Sequence, residues 1–191
     1  MICIVPASMA QGSDSIPRKK YTTARLKGVP IVLDGIPSEE TWNGVEWGGD
    51  FTQWQPAEGK PPSQPTRFKI LYDDRFLYIA YDCIDKAADS IDKRMGRRDA
   101  FPGDFVEINI DSYHDKRTAF SFTLSVSGVR GDEFVSNDGD NWDENWNPIW
   151  YAKTHIHKGG WTAEVKIPLS QLRYGNEKDK VWGIQIMRRI F

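Results

Sequence analysis

Between Arg97 and Gly128 the chain alternates apolar and polar residues with period two, on either side of a polar turn. Val106, Ile108 and Ile110 alternate with Phe105, Glu107, Asn109 and Asp111; further on, Phe120, Phe122, Leu124 and Val126 alternate with Ala119, Ser121, Thr123 and Ser125. This is the pattern of a β-hairpin with one buried face. With the turn placed at Ser112 to Lys116, Glu107 falls opposite Ser121 and Val106 opposite Phe122, so both apolar rows share one side. The opposite side is a floor of small hydroxyls, carboxylates and an amide.

The same alternation predicts strands at Tyr21–Lys27, Pro30–Leu33, Glu46–Gln55, Thr66–Tyr72, Phe76–Ile84, Val129–Ser136, Trp150–His157, Gly160–Ile167 and Val181–Ile190. Asp34-Gly35, Asp73-Asp74-Arg75 and Lys158-Gly159 read as turns, and Asn137 to Asn147 as an acidic loop. Helical character is confined to short turns at Pro37–Trp42 and Pro168–Tyr174. Many short strands without a βαβ rhythm predict an all-β, antiparallel β-sandwich of jelly-roll or immunoglobulin-like type over 21–191.

Composition narrows the function. In 191 residues, 25 Lys+Arg against 27 Asp+Glu leave a net charge of -2. Neither a basic patch for nucleic acid nor a field for an acidic membrane is present. Residues 1–20 read as the remnant of a signal peptide, with Ser8-Met9-Ala10 as the small-residue end, followed by a polar linker. This predicts export to the periplasm, outer membrane or extracellular space. No apolar run reaches the roughly 18–20 residues that a spanning helix needs. Cys3 falls in the leader, and Cys83 is expected to be a buried, inert thiol. The end at Arg188-Arg189-Ile190-Phe191, within a strong strand, predicts a sandwich truncated at that edge.

Catalytic signatures are lacking: no Gly-x-Ser-x-Gly elbow, His-Glu-x-x-His motif or phosphate-binding glycine loop occurs. Glu107 and Asp111 sit four residues apart on one strand, roughly 13 Å by strand rise, which does not suit a hydrolytic pair. His155 and His157 share a strand face without an evident third metal ligand. Met95 and Met187 with the histidines leave haem ligation open as an alternative.

A set of motifs carries a resemblance. These are Ile31-Val32-Leu33-Asp34-Gly35 before Trp42, Leu77-Tyr78-Ile79-Ala80, Asp104 through Asp111, Ala119-Phe120-Ser121-Phe122, Trp142-Asp143, Gly160 through Pro168, and Trp182-Gly183-Ile184-Gln185. In this order they resemble the family-9 carbohydrate-binding module, and more closely the family-9-like domain at the N-terminus of bacterial outer-membrane β-barrel proteins. The resemblance implies a non-catalytic module that binds an oligo- or polysaccharide, such as xylan, for a glycan-degrading or outer-membrane protein. It places the stacking aromatic at Phe101, the hydroxyl-binding glutamate at Glu107 and the glutamine at Gln185. Thr123 stands where the family has arginine, and the second aromatic falls beyond Phe191. Asn109 joins the set from its place on the polar face. The resemblance also implies structural Ca²⁺ near the central strand, for which Asp82, Asp85, Asp99 and Asp104 supply hard oxygen ligands; Asp138, Asp140 and Asp143 form a second acidic cluster. The remaining alternative is an accessory domain of an outer-membrane barrel that contacts protein instead of sugar.

Overall fold

The computed structural model describes residues 19–175 and 181–191. The leader expected before Gly12, with Cys3, lies outside the described residues. Among the described residues ten strands form two five-stranded sheets. In chain order they are β1 (Ala24–Arg25), β2 (Thr66–Tyr72), β3 (Phe76–Ile84), β4 (Phe105–Asp111), β5 (Ala119–Ser125), β6 (Arg130–Ser136), β7 (Asn141–Asp143), β8 (Tyr151–His157), β9 (Gly160–Pro168) and β10 (Gly183–Arg189). The first sheet runs β1-β2-β3-β9-β8 and the second β10-β4-β5-β6-β7. Neighbours are antiparallel except β1 and β2, which are parallel. Only short 3-10 turns are helical among the described residues.

The inner faces meet in one core. The first sheet contributes Phe68, Ile70, Ile79, Tyr81, Trp161, Val165 and Ile167; the second contributes Val106, Ile108, Ile110, Phe120, Phe122 and Leu124. Each large apolar side chain fully buried in this way contributes roughly 1.5–3 kcal/mol. Cys83 lies in the core, and burial pushes its thiol up to about 12, so it stays protonated and inert. An ion pair joins the sheets at one end: Arg188 of β10 reaches Asp85 at 3.1 Å, with both side chains almost wholly buried. Arg188 also donates to the Ile84 carbonyl at 2.9 Å, which fixes the edge strand β10 against the first sheet.

Three expectations are corrected. The stretch 46–55 is no strand; Gly48 makes an isolated bridge to Phe68, whose ring would lie 2.4 Å from a Cβ at that glycine, and Asp50 turns the chain at φ 55. Residues 21–33 contribute only β1 to a sheet; Leu26 and Ile31 pack over its outer side, while Tyr21 packs on Phe68 of the core at 4.9 Å. The central hairpin pairs Glu107 with Thr123 and Ile108 with Phe122, two residues away from the sequence reading. The loop is longer because Asp111 accepts the N–H groups of Asp115 and Lys116 at 3.1 and 2.8 Å, and Asp115 accepts those of Arg117 and Thr118 at 2.8 Å each. A shift of two preserves the face of every side chain.

The outer face of the first sheet is covered. Trp42, Val45, Leu71, Tyr78 and Ala80 form a second apolar cluster, with Leu26, Ile31 and Trp47 packed against it. Its polar centre is Glu164 of β9, fully buried. The Glu164 carboxylate accepts the backbone N–H groups of Asp34 and Gly35 at 3.1 and 3.0 Å, and the Trp42 indole N–H at 3.2 Å. The Asp34-Gly35 turn forms as the sequence suggests. Gly35 has φ 91, and a Cβ there would meet the Thr154 backbone at 2.7 Å, so glycine is required.

Candidate functional site

The outer face of the second sheet has no such cover among the described residues. Two rows of side chains cross it. One runs Gln185–Asn109–Ser121–Glu133 over β10, β4, β5 and β6; the next runs Met187–Glu107–Thr123–Gly131. Phe105 and Ser125 continue the floor beyond them. The segment before β4 crosses the end of β6, where the Asp99 N–H donates to the Arg130 carbonyl at 3.2 Å and the Asp99 side chain accepts the Asp132 N–H at 3.1 Å. This crossing sets the Phe101 ring over Gly131, where any Cβ would meet Phe101 Cζ at 2.4 Å, and 5.4 Å from the Phe105 ring.

All five residues singled out from the sequence therefore border one surface. Phe101 walls one end, Glu107 is half-buried at the centre, Asn109 and Thr123 are buried beside it, and Gln185 is exposed on the edge strand. Glu107 accepts from Asn109 Nδ2 at 2.7 Å and from Thr123 Oγ1 at 3.3 Å, both neutral donors. Two buried oxygens of the floor, Asn109 Oδ1 and Ser121 Oγ, have no hydrogen-bond partner among the described residues. A buried acceptor left unpaired costs on the order of 1–3 kcal/mol.

The sequence reading missed two members of this surface. Glu133 lies in line with Ser121 and Asn109. Burial, and then the carboxylates of Glu107, Glu144, Asp99 and Asp132, raise its pKa above the ordinary carboxylate value. Trp142, in a stretch expected to be loop, pairs with Val135 and so shares the open face with 43% of its surface exposed. It stands four residues along β6 from the Phe101 end, roughly 13 Å by strand rise. The signal for Glu133 was the alternation Gly131, Glu133, Val135, obscured by the inward charge of Asp132, which accepts from the Trp150 indole at 2.9 Å and pairs with Arg98.

The four carboxylates considered for calcium are not brought together as one set. Asp82 pairs with Arg67 at 2.7 Å, Asp85 with Arg188, and Asp99 with the β6 backbone, while Asp104 accepts the Phe191 N–H at 3.0 Å. Asp104 alone among them keeps a buried oxygen, Oδ2, without a partner; desolvation first, and Asp85 and Asp92 in addition, raise its pKa. Among the described residues no three His, Cys, Asp or Glu side chains are grouped to hold a metal ion. The donor set as arranged does not fit calcium, and no role is derived through it. In the acidic loop, Asp138 faces Arg117 at 3.4 Å and Asp143 accepts from Asn145.

His155 and His157 stack at 6.3 Å on β8, beside a groove of about 360 Å³ that also touches Trp47, Arg67 and Asp82 on the first sheet. Met187 lies on the opposite outer face from these histidines.

The profile of the carbohydrate family 9 binding domain-like family matches residues 33–189. The chain belongs to this family. No curated protein matches it. Among solved structures, a family 9 carbohydrate-binding module from Caldicellulosiruptor kristjanssonii in complex with glucose superposes with TM-score 0.58 at 19% identity, over 87% of this chain and 76% of that one. The same module in complex with cellotriose gives TM-score 0.58 at 19% identity, over 88% and 77%. A protein from Bacteroides uniformis proposed to bind carbohydrate gives TM-score 0.66 at 14% identity, over 88% and 83%. These likenesses establish the family 9 fold for the sandwich described above.

Proposed function

We propose that this family 9 domain is a non-catalytic carbohydrate-binding module that takes glycan chains or their ends on the open face of its second sheet. The observation that carries the reading is the centre of that face. Glu107 is half-buried on neutral donors, beside the buried and unpaired oxygens of Asn109 and Ser121. A pyranose offers hydroxyl donors to the half-buried Glu107 carboxylate and an apolar C–H face to an aromatic wall, here Phe101 and the exposed Trp142. The Gln185 amide supplies both a donor and an acceptor at the edge. Such a module serves a larger glycan-degrading or outer-membrane protein, outside the cytoplasm. Glucose and cellotriose in the C. kristjanssonii complexes make β-glucan oligosaccharides the first ligands to test.

The test is a tryptophan-fluorescence titration with cello-, xylo- and manno-oligosaccharides, repeated with calcium and with chelator. Saturable binding that is lost in Glu107→Ala and indifferent to chelator is the expected outcome. Saturable binding that survives Glu107→Ala would place the sugar elsewhere. No response to any sugar would favour a protein-contacting accessory domain.

A further inference from the structure

The centre of the open face is acceptor-rich and anionic, and Arg130 and Arg98 are engaged elsewhere. Glu107 and Glu133 stand two strands and two residues of register apart, roughly 12 Å along the diagonal, and Glu144 and Asp99 add negative charge near Glu133. Arg130 donates to the Trp150 carbonyl on the inner side, Arg98 pairs with buried Asp132, and Arg189 sits over the Phe191 ring at 4.7 Å. Among the described residues Glu107 has only neutral donors, from Asn109 and Thr123. The unpaired Asn109 Oδ1 and Ser121 Oγ belong to side chains at least nine-tenths buried, and both lie on this floor between the two carboxylates. Arg189 lies at the Phe105 end of the face, but among the described residues Glu107 and Glu133 at its centre have no cationic partner. A neutral sugar supplies donors without the charge; a primary ammonium on a pyranose ring supplies both, with three N–H groups in a compact head. A metal ion is a poorer match, because no three ligating side chains are grouped here among the described residues.

We propose that the Glu107–Glu133 face selects glycans bearing free amines, namely β-linked glucosamine units, over neutral hexose units. The proposal rests on the reading of this face as a sugar site. The amine sits between the two carboxylates over Asn109 and Ser121, while the ring packs towards Phe101 or Trp142.

Isothermal titration of the full chain, in chelator at about pH 6 where an amine is protonated, compares a glucosamine tetramer with its N-acetylated form and with cellotetraose. The glucosamine tetramer is expected to bind at least tenfold more tightly than either. Its affinity should fall more steeply than that of cellotetraose as salt is raised, and Glu133→Gln should shrink the preference to threefold or less. Equal or tighter binding of cellotetraose would overturn the selectivity and leave the sugar-site reading standing. Failure of all three sugars would overturn both. Competition by N-acetyl-lysine amide as effective as that by the glucosamine tetramer would show that charge alone is read, and would also overturn the proposal.

Discussion

Two glutamates occupy matching places in this sandwich and meet opposite fates. Glu164 and Glu107 each point outward from a strand flanked on both sides within its sheet, between apolar neighbours that point into the core. Glu164 is sealed under residues 21–47, with N–H donors from Asp34, Gly35 and Trp42 on its two oxygens. Glu107 remains half-buried on an open floor whose neighbouring oxygens are unpaired. A buried carboxylate is tolerated when the protein supplies its donors; a partly buried one among unpaired acceptors is arranged for donors from outside. The first glutamate locks the fold, and the second is available for binding.

The comparison is broken most severely at Glu164. Glu164→Ala strands three N–H groups beneath the cover and should cost on the order of 3–5 kcal/mol, read by urea unfolding, with sugar affinity unchanged in the fraction that remains folded. Glu107→Ala leaves the Asn109 amide and the Thr123 hydroxyl without their acceptor and should cost about 1–2 kcal/mol; a loss as large as that at Glu164 would make the two glutamates alike and remove the distinction.

Glu133 sharpens the contrast through pH. Its folded pKa is raised, first by burial and then by Glu107, Glu144, Asp99 and Asp132, above an ordinary value of 4.5. Protonation therefore favours the folded state, and the stability it contributes is present below the unfolded value and lost as pH rises through the folded one. Glu133→Gln should raise the thermal midpoint at pH 7 and leave it nearly unchanged below about pH 4. A midpoint that falls at pH 7 would mean that Glu133 is a structural partner and not a strained member of the open face.

The smallest effect is expected in the 112–118 loop. Asp115 is opposed by desolvation, but the N–H groups of Arg117 and Thr118 outweigh it and hold its pKa below 3.8. Its contribution is present above that value and fades as pH falls through the lowered folded one. Asp115→Ala should cost no more than about 0.5 kcal/mol at pH 7, with sugar binding intact.

The alternation in the sequence is sufficient to place β2, β3, β4, β5 and most of β6, β8 and β9, because each has one face in a common core. It also assigns Glu107, Asn109, Thr123 and Gln185 to the outer side even though the hairpin register is off by two, since a two-residue slip keeps every face. The distinction between Glu107 and Glu164 is not local. Both read as outward carboxylates in a strand, and what separates them is a cover contributed by Gly35 and Trp42, more than a hundred residues from Glu164. Trp142 and Glu133 escaped for related reasons: β7 has three residues, too few to show a period, and the inward Asp132 breaks the pattern of β6 because Trp150 and Arg98 satisfy its charge.

The most direct test of the account is an amide NMR titration of the full chain with cellotriose and the glucosamine tetramer, mapping which backbone signals move. The account predicts shifts at Glu107, Asn109, Ser121, Glu133, Trp142 and Gln185, with Gly35, Trp42 and Glu164 unmoved. Shifts centred on the Trp47, His155 and His157 groove would place recognition on the covered sheet and contradict the claim that the open face is the site.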